Sequence, residues 1–339
     1  MEKIFLSLLF LFWLMFGSFA SVIIYRLRSG EGGMWTGRSH CKTCQRNLTA
    51  VDLVPLLSWI VSKWVCRKCK EKISAVYPIL ELVMGLCFLG VWLFMVDFDT
   101  ILTLQGNEFV KLFFWLAVVF FSVIYVFYDI LFLEIPEGVL LIFNVIIFWW
   151  LALSSSLVDW NLFPNFTIAN DIPLILSITI ALIVFAGLYS IMLLELKEIY
   201  DVVIVVGLGI FLYFSLNYLD IPVKENPLIS GTLGAFALFV FFFLQILVSK
   251  GAWMGGGDLR IALGMGMILG ISYIFVGWML AYMIGSIIGI GLVISQKMKT
   301  HTDANFSMQI PFGPFLAAGY LGILFFFPFW QKIIQVYFL

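Results

Sequence analysis

Met254-Gly255-Gly256-Gly257-Asp258-Leu259-Arg260 sits between two long apolar runs, residues 227–249 and 261–295. The three glycines let the backbone turn where other residues cannot, and let other groups approach closely. An aspartate at the mouth of an apolar bundle is costly unless it has a partner or a task. The candidate partner is Asp129, which ends another apolar run shortly before Ile135-Pro136. Two carboxylates on facing membrane helices can share one proton. The ionised one then activates water while the protonated one polarises a peptide carbonyl. For either acid taken alone, the plain alternative is a helix-end carboxylate facing water.

The runs around this stretch set the class. Of 339 residues, 63% are hydrophobic and 12% charged, a balance that excludes a soluble globular domain. Helices satisfy their own backbone in lipid, and the alternation of a closed barrel is absent. The chain therefore reads as an all-α polytopic integral membrane protein of about 8–10 transmembrane helices, each needing about 20 apolar residues. The expected spans are residues 4–25, 76–96, 109–128, 138–157, 172–193, 201–219, 227–249 and 261–295, with a last one at 311–329. The run 261–295 is too long for one crossing and should divide near Gly270-Ile271-Ser272.

Residues 26–75 form the one substantial polar loop and carry ten of the nineteen Lys and Arg residues. The positive-inside rule makes this loop cytoplasmic, with the N-terminus outside. Lys197, Lys250, Arg260, Lys297 and Lys299 then also fall inside, and Lys3, Lys111, Lys224 and Lys332 outside. Asp129 and Asp258 share the cytoplasmic face in this topology. Acidic lipid headgroups account for the basic loop better than nucleic acid does. No internal repeat, coiled coil or nucleic-acid motif is apparent.

Within the loop lie Cys41-x-x-Cys44 and Cys66-x-x-Cys69. Two such pairs at this separation point to a four-thiolate zinc knuckle, a small cytoplasmic loop folded around Zn2+. Redox-active or unligated thiols are the alternatives; the reducing cytoplasm disfavours disulfides. Four thiolates close the tetrahedron, so His40 is a bystander and the metal structural. Cys87 falls in a span and reads as packing. Asp52-Leu53-Val54-Pro55-Leu56-Leu57-Ser58-Trp59, between the pairs, is apolar but too short and proline-broken to span. It either packs on the knuckle or lies in the membrane interface.

These residues resemble the GxGD aspartyl proteases, and among them the prepilin peptidases. Asp129, seven residues before Pro136, matches the family's first aspartate, and Asp258 the one closing its Gly-x-Gly-Asp turn. Gly17-Ser18-Phe19, the cysteine pairs and Tyr77-Pro78-Ile79-Leu80-Glu81-Leu82 resemble the family's amino-terminal domain over nearly all of residues 17–85. Gln309-Ile310-Pro311-Phe312-Gly313-Pro314-Phe315 resembles its closing motif. Leu53 and Glu137 depart from the pattern, and the stretch between the aspartates is longer by about one helix hairpin, near residues 172–219.

The resemblance implies a bifunctional membrane enzyme of the bacterial inner membrane. It would cleave the leader from type IV prepilin or pseudopilin precursors at the cytoplasmic face, and methylate the new N-terminus with S-adenosylmethionine. Asp129 and Asp258 would be catalytic, Gly255, Gly256 and Gly257 the active-site turn, and Pro136, Pro311, Gly313 and Pro314 would position substrate. The family links methyl transfer to its amino-terminal domain, where Glu81 is the candidate acid; no glycine-rich cofactor loop shows it independently. Residues 1–96 would form that domain and 97–339 the peptidase domain. Two other classes stay open: a GxGD protease without methyl transfer, and a zinc-bearing membrane scaffold or transporter with the aspartates as a proton path.

Overall fold

The computed structural model describes residues 2–30, 37–96, 106–156, 174–194, 198–218, 223, 226–300 and 310–337. Most of the expected loop at 97–108, all of that at 158–171, most of 195–198 and 220–225, and also His301 and Gln309, lie outside them. Among the described residues there is no sheet, only two isolated bridges, and eight helices are long and apolar enough to cross a membrane. The protein is a multi-pass α-helical membrane protein. By contact it forms two compact units, Met1–Phe132 and Leu133–Leu339.

The first unit holds α1 (Glu2–Ser29), the short α2 (Leu57–Val61), α3 (Val76–Phe94) and α4 (Gly106–Phe132). α1, α3 and α4 pack on one another. Trp13, Phe88 and Trp115 are buried where they meet. α1 runs past the expected residue 25 and carries Arg26 and Arg28 in its last turn. There the Arg28 guanidinium lies 5.2 Å from the centre of the Phe132 ring, so the C-terminal ends of α1 and α4 are together. Leu133 then takes φ 53°, outside the helical region, and the helix ends there.

The second unit comprises α5 (Glu137–Ser156), α6 (Leu174–Leu194), α7 (Glu198–Tyr218), α8 (Pro227–Ser249), α9 (Gly256–Thr300), α10 (Gly313–Phe325) and α11 (Phe327–Tyr337). α9 is its axis and packs on α8, α10 and α5. α7 is the least buried of its spans of ordinary length and turns Val203, Val206 and Phe214 outward. The expected last span, 311–329, is instead two short helices parted at Phe326. α10 has 13 residues, or about 20 Å, less than the roughly 30 Å of a hydrocarbon core.

α9 divides where the glycine pattern placed the break. Gly270 has φ 60° and ψ −178°, a region open essentially to glycine alone. The break frees the Ile271 N–H, which donates to the Ser230 hydroxyl of α8 at 3.3 Å. Irregular backbone at membrane depth needs such a partner, because lipid offers none. A Cβ on Gly270 would also stand 2.6 Å from that same hydroxyl oxygen. Gly270→Ala should therefore destabilise the detergent-purified protein by about 1–3 kcal/mol. Gly291→Ala, whose Cβ would meet nothing within 4 Å, should leave thermal unfolding unchanged. Unfolding followed by intrinsic fluorescence checks both.

Candidate functional site

The four cysteines come together. Their sulfurs all lie within 4.8 Å of one another, with Cys41–Cys69 at 3.8 Å and Cys44–Cys66 at 4.0 Å. Four thiolates about 2.3 Å from one zinc ion would stand about 3.8 Å apart, so the donor set fits a tetrahedral metal. All five cysteines of the chain are free thiols.

Two matching hairpins build this arrangement. The Cys41 N–H donates to the Arg46 carbonyl and the Gln45 N–H to the Cys41 carbonyl, both at 2.9 Å. Twenty-five residues on, the Cys66 N–H donates to the Glu71 carbonyl at 2.8 Å and the Lys70 N–H to the Cys66 carbonyl at 3.0 Å. Gln45 and Lys70, each following the second cysteine, both have positive φ, 54° and 61°. The bridges His40–Asn47 and Val65–Lys72 close the two hairpins. The knuckle is thus an internal repeat, legible only as the equal spacing of the pairs.

The hairpins aim backbone donors at the sulfurs. The Cys69 N–H, then that of Lys68, hold the Cys66 thiol down to about 6. The Cys44 N–H likewise lowers Cys41. The Glu71 N–H favours the Cys69 thiolate, but burial and the three neighbouring sulfurs outweigh it and push that thiol up to about 11. The cluster therefore keeps a proton that a bound cation would displace.

Asp52 joins the two hairpins, a role its place in an apolar run did not announce. Its carboxylate accepts from Arg46, next but one after Cys44, at 2.6 Å, and meets Arg67, next to Cys66, at 3.3 Å. The Thr49 N–H and hydroxyl donate to it at 3.0 and 2.9 Å. Burial opposes its charge, but Thr49 and then the two arginines hold it below the ordinary aspartate range. A carboxyl lowered in the fold adds stability that is present above its unfolded value, about 3.9, and is lost as pH falls through the folded value. At pH 7 that contribution is complete. Asp52→Asn should there weaken metal retention by about tenfold, as for residues supporting a metal site. Competition with a chromogenic chelator measures it.

Glu81 is buried where α1 and α3 touch. A Cβ on Gly17 would stand 2.5 Å from the Glu81 Cα, so only glycine permits this approach. The Glu81 carboxylate accepts from the Leu56 N–H at 2.8 Å and is hydrogen-bonded by Ser18. Leu56 is held at φ 58°, ψ −50°, where a side chain is strained. Glu81 thus ties the inter-cysteine segment to α3.

Asp129 lies in the first unit, 5% exposed in the last turn of α4, beside the edge-to-face pair Tyr128–Phe132. Asp258 lies in the second unit, 8% exposed in the first turn of α9, its N–H donating to the Gly255 carbonyl at 3.2 Å. Within that turn only Gly257 is tightly enclosed, because a Cβ there would meet Ile135 at 2.7 Å. Gly255 and Gly256 face open space, and neither takes positive φ. The Pro136 carbonyl accepts from Val139 and Leu140 and so starts α5. Pro311 precedes the turn that opens α10, whose first residues are Gly313 and Pro314.

The second unit adds polar contacts beside Asp258. Arg260 bonds the Glu137 carboxylate of α5 at 2.6 Å and the Met192 carbonyl of α6 at 3.2 Å. Asn144, fully buried on α5, donates to the Tyr189 hydroxyl of α6 at 2.7 Å and to the Arg260 carbonyl at 3.0 Å. Glu137 is therefore the ion-pair partner of Arg260, and α6 braces the turn that carries Asp258. Tyr282, within electrostatic reach of Asp258, pairs with Gln245 and meets Phe312 of the Pro311–Pro314 turn edge to face, with ring centres 5.1 Å apart. In sequence the signals were faint: Asn144 as an amide inside a span, Arg260 two residues beyond Asp258.

Residues 11–95 match the family model described as the bacterial peptidase A24 N-terminal domain. The prepilin leader peptidase/N-methyltransferase of Aeromonas hydrophila is 26% identical, covering 95% of this chain and 91% of its own length. That of Bacillus subtilis (strain 168) is also 26% identical, over 93% and 91%. The chain is a relative of the prepilin leader peptidases. A type 4 prepilin-like leader peptide-processing enzyme of Escherichia coli O78:H11 is 50% identical over 52 residues, 15% of this chain and 19% of that one. The A24 domain encloses the whole cysteine knuckle and Glu81. No solved structure matches significantly.

Proposed function

We propose that the protein is a membrane aspartyl endopeptidase and N-methyltransferase. It removes the leader from type IV prepilin-like or pseudopilin precursors at the cytoplasmic face of the bacterial inner membrane, then methylates the exposed α-amino group. The observation that carries the reading is full-length relationship to enzymes with both activities in their name, with the A24 domain built around an assembled cysteine tetrad.

Asp129 and Asp258 are the proposed dyad. Each is a carboxyl closed off among apolar helices, the surroundings in which two acids sharing one proton work as base and acid. One takes a proton from water as its oxygen attacks the scissile carbonyl; the other donates to the carbonyl oxygen. Collapse of the tetrahedral intermediate breaks the C–N bond, and the proton returns to the leaving amine. The dyad titrates as a unit, so the roles are not divided between its members.

The bare faces of Gly255 and Gly256 leave room for a substrate backbone beside Asp258. Pro136 and the Pro311-Phe312-Gly313-Pro314 turn are the proposed walls for an extended peptide. Cys41, Cys44, Cys66 and Cys69 are proposed to hold a structural zinc ion. S-adenosylmethionine would supply the methyl group and leave as the neutral thioether, and Glu81, within the residues that match the A24 domain, is the proposed carboxylate that takes the proton the amine loses. Residues 1–96 then serve methyl transfer and 97–339 cleavage.

Asp129→Asn and Asp258→Asn should each lower leader cleavage by at least about 10²–10⁴-fold, the usual worth of a general acid or base. Glu134→Gln, at an exposed position after α4, should process normally. Immunoblots of precursor and mature substrate, at equal enzyme level in the membrane, decide the matter. Full processing by either aspartate variant would remove that residue from the mechanism.

A further inference from the structure

The segment between the two cysteine hairpins leaves large apolar side chains uncovered. Val51, Val54, Leu57, Ile60, Val61 and Trp64 are all exposed, Val61 at 69% and Ile60 at 58%. They lie outside every span, on a 3-10 turn (Ala50–Leu53), on α2 and just beyond it. The loop has little core to hide them: Trp59 is held by the Ile73 carbonyl at 3.2 Å and by the Trp64 ring at 5.2 Å.

Three contacts fix where this surface lies. The Arg26 guanidinium at the end of α1 donates to the Gly37 carbonyl at 3.0 Å. The Lys42 ammonium sits 3.5 Å from the centre of the Tyr25 ring, which stacks on Tyr77 of α3. The third is the Glu81 carboxylate on the Leu56 N–H, immediately before α2. Glu81 is five residues inside α3, about 7 Å along the helix from its start at 1.5 Å per residue. The carboxylate leans back toward the helix N-terminus, so the Leu56 backbone lies level with the first turns of a span, not above it.

The charge around the patch suits one neighbour. Lys63, Arg67, Lys68, Lys70 and Lys72 are exposed and follow the apolar residues directly. An apolar face with Trp and Leu, bordered by Lys and Arg, is the pattern of a segment seated at the headgroup–acyl boundary. We propose that residues 51–64 dip into the anionic membrane surface beside α3, with α2 lying in the interface and the basic residues of the second cysteine hairpin on the headgroups. The metal loop is then a membrane-seated platform, and Glu81 the tie that sets its depth. This stands independently of the proposed enzymatic activities.

The test uses the full-length protein in vesicles of phosphatidylglycerol and phosphatidylethanolamine, without substrate. A benzophenone amino acid replaces Val61 in one variant, Ile60 in a second, and Thr43, exposed within the first knuckle, in a third. Metal content identifies the variants that retain the folded loop, and two interfacial positions guard against loss of one. The expected result is a phospholipid adduct, seen by mass spectrometry after illumination, at 61 and 60 and its loss at 43. Cross-links to a second copy of the chain in place of lipid would overturn the proposal. So would the absence of a lipid adduct at both positions, or a prepilin substrate, added afterwards, that captures the label and abolishes the lipid adduct.

Discussion

A polar group closed off from water has to be met by another polar group, and this requirement shapes several irregular places among the described residues. Asp52 is met by Thr49, Arg46 and Arg67, and so holds the two cysteine hairpins as one loop. Glu81 is met by the backbone of a strained Leu56 and carries that loop to α3. The N–H freed at Gly270 is met by Ser230, and that single contact lets α9 break inside the bundle. Arg260 is met by Glu137 and the Met192 carbonyl, which gathers α5 and α6 around the turn carrying Asp258. The apolar surface supplies most of the burial, but these few contacts decide the geometry.

Much of this was legible in the sequence because its signals are local. Apolar runs of fixed length announce helices, and all but the last expected span lie where their runs do. The break near Gly270 was readable because a run of 35 residues cannot cross once and glycine marks the place to part. The cysteine tetrad was readable from spacing because the hairpin that presents two sulfurs is itself a local structure. What stayed hidden depends on which helices lie side by side. Nothing in the run around Asp52 tells that its carboxylate reaches both arginines. Glu137 read as a tolerated substitution because its partner, Arg260, is more than 120 residues away. The hairpin of α6 and α7 had no readable role in the sequence, because Met192 and Tyr189 meet Arg260 and Asn144 only in the fold. The span expected at 311–329 is instead parted at Phe326, because Pro328 has no N–H to donate to the Leu324 carbonyl and its ring crowds that carbonyl, a local signal that the apolar run masked.

The division of labour follows from the same contacts. The cysteine loop is tied to the ends of α1 and α3. The surroundings of Asp258 are built from α5, α6 and α9, none of which draws on the cysteines. Loss of the metal should therefore unfold the knuckle, whose binding energy is also its folding energy, and leave the helices around Asp258 in place. The contacts around Asp258 are thus made without the cysteines, whereas Asp129 lies on α4, which packs on the same α1 and α3 that carry the cysteine loop.

The most direct measurement is mass spectrometry of the substrate N-terminus after reaction with purified Cys41→Ser enzyme and S-adenosylmethionine, with the enzyme's zinc content determined in parallel. The account predicts a product that is cut at the leader junction, carries no methyl group, and comes from a protein without metal. A methylated product from zinc-free enzyme, or a precursor left wholly uncut at wild-type enzyme level, would contradict it.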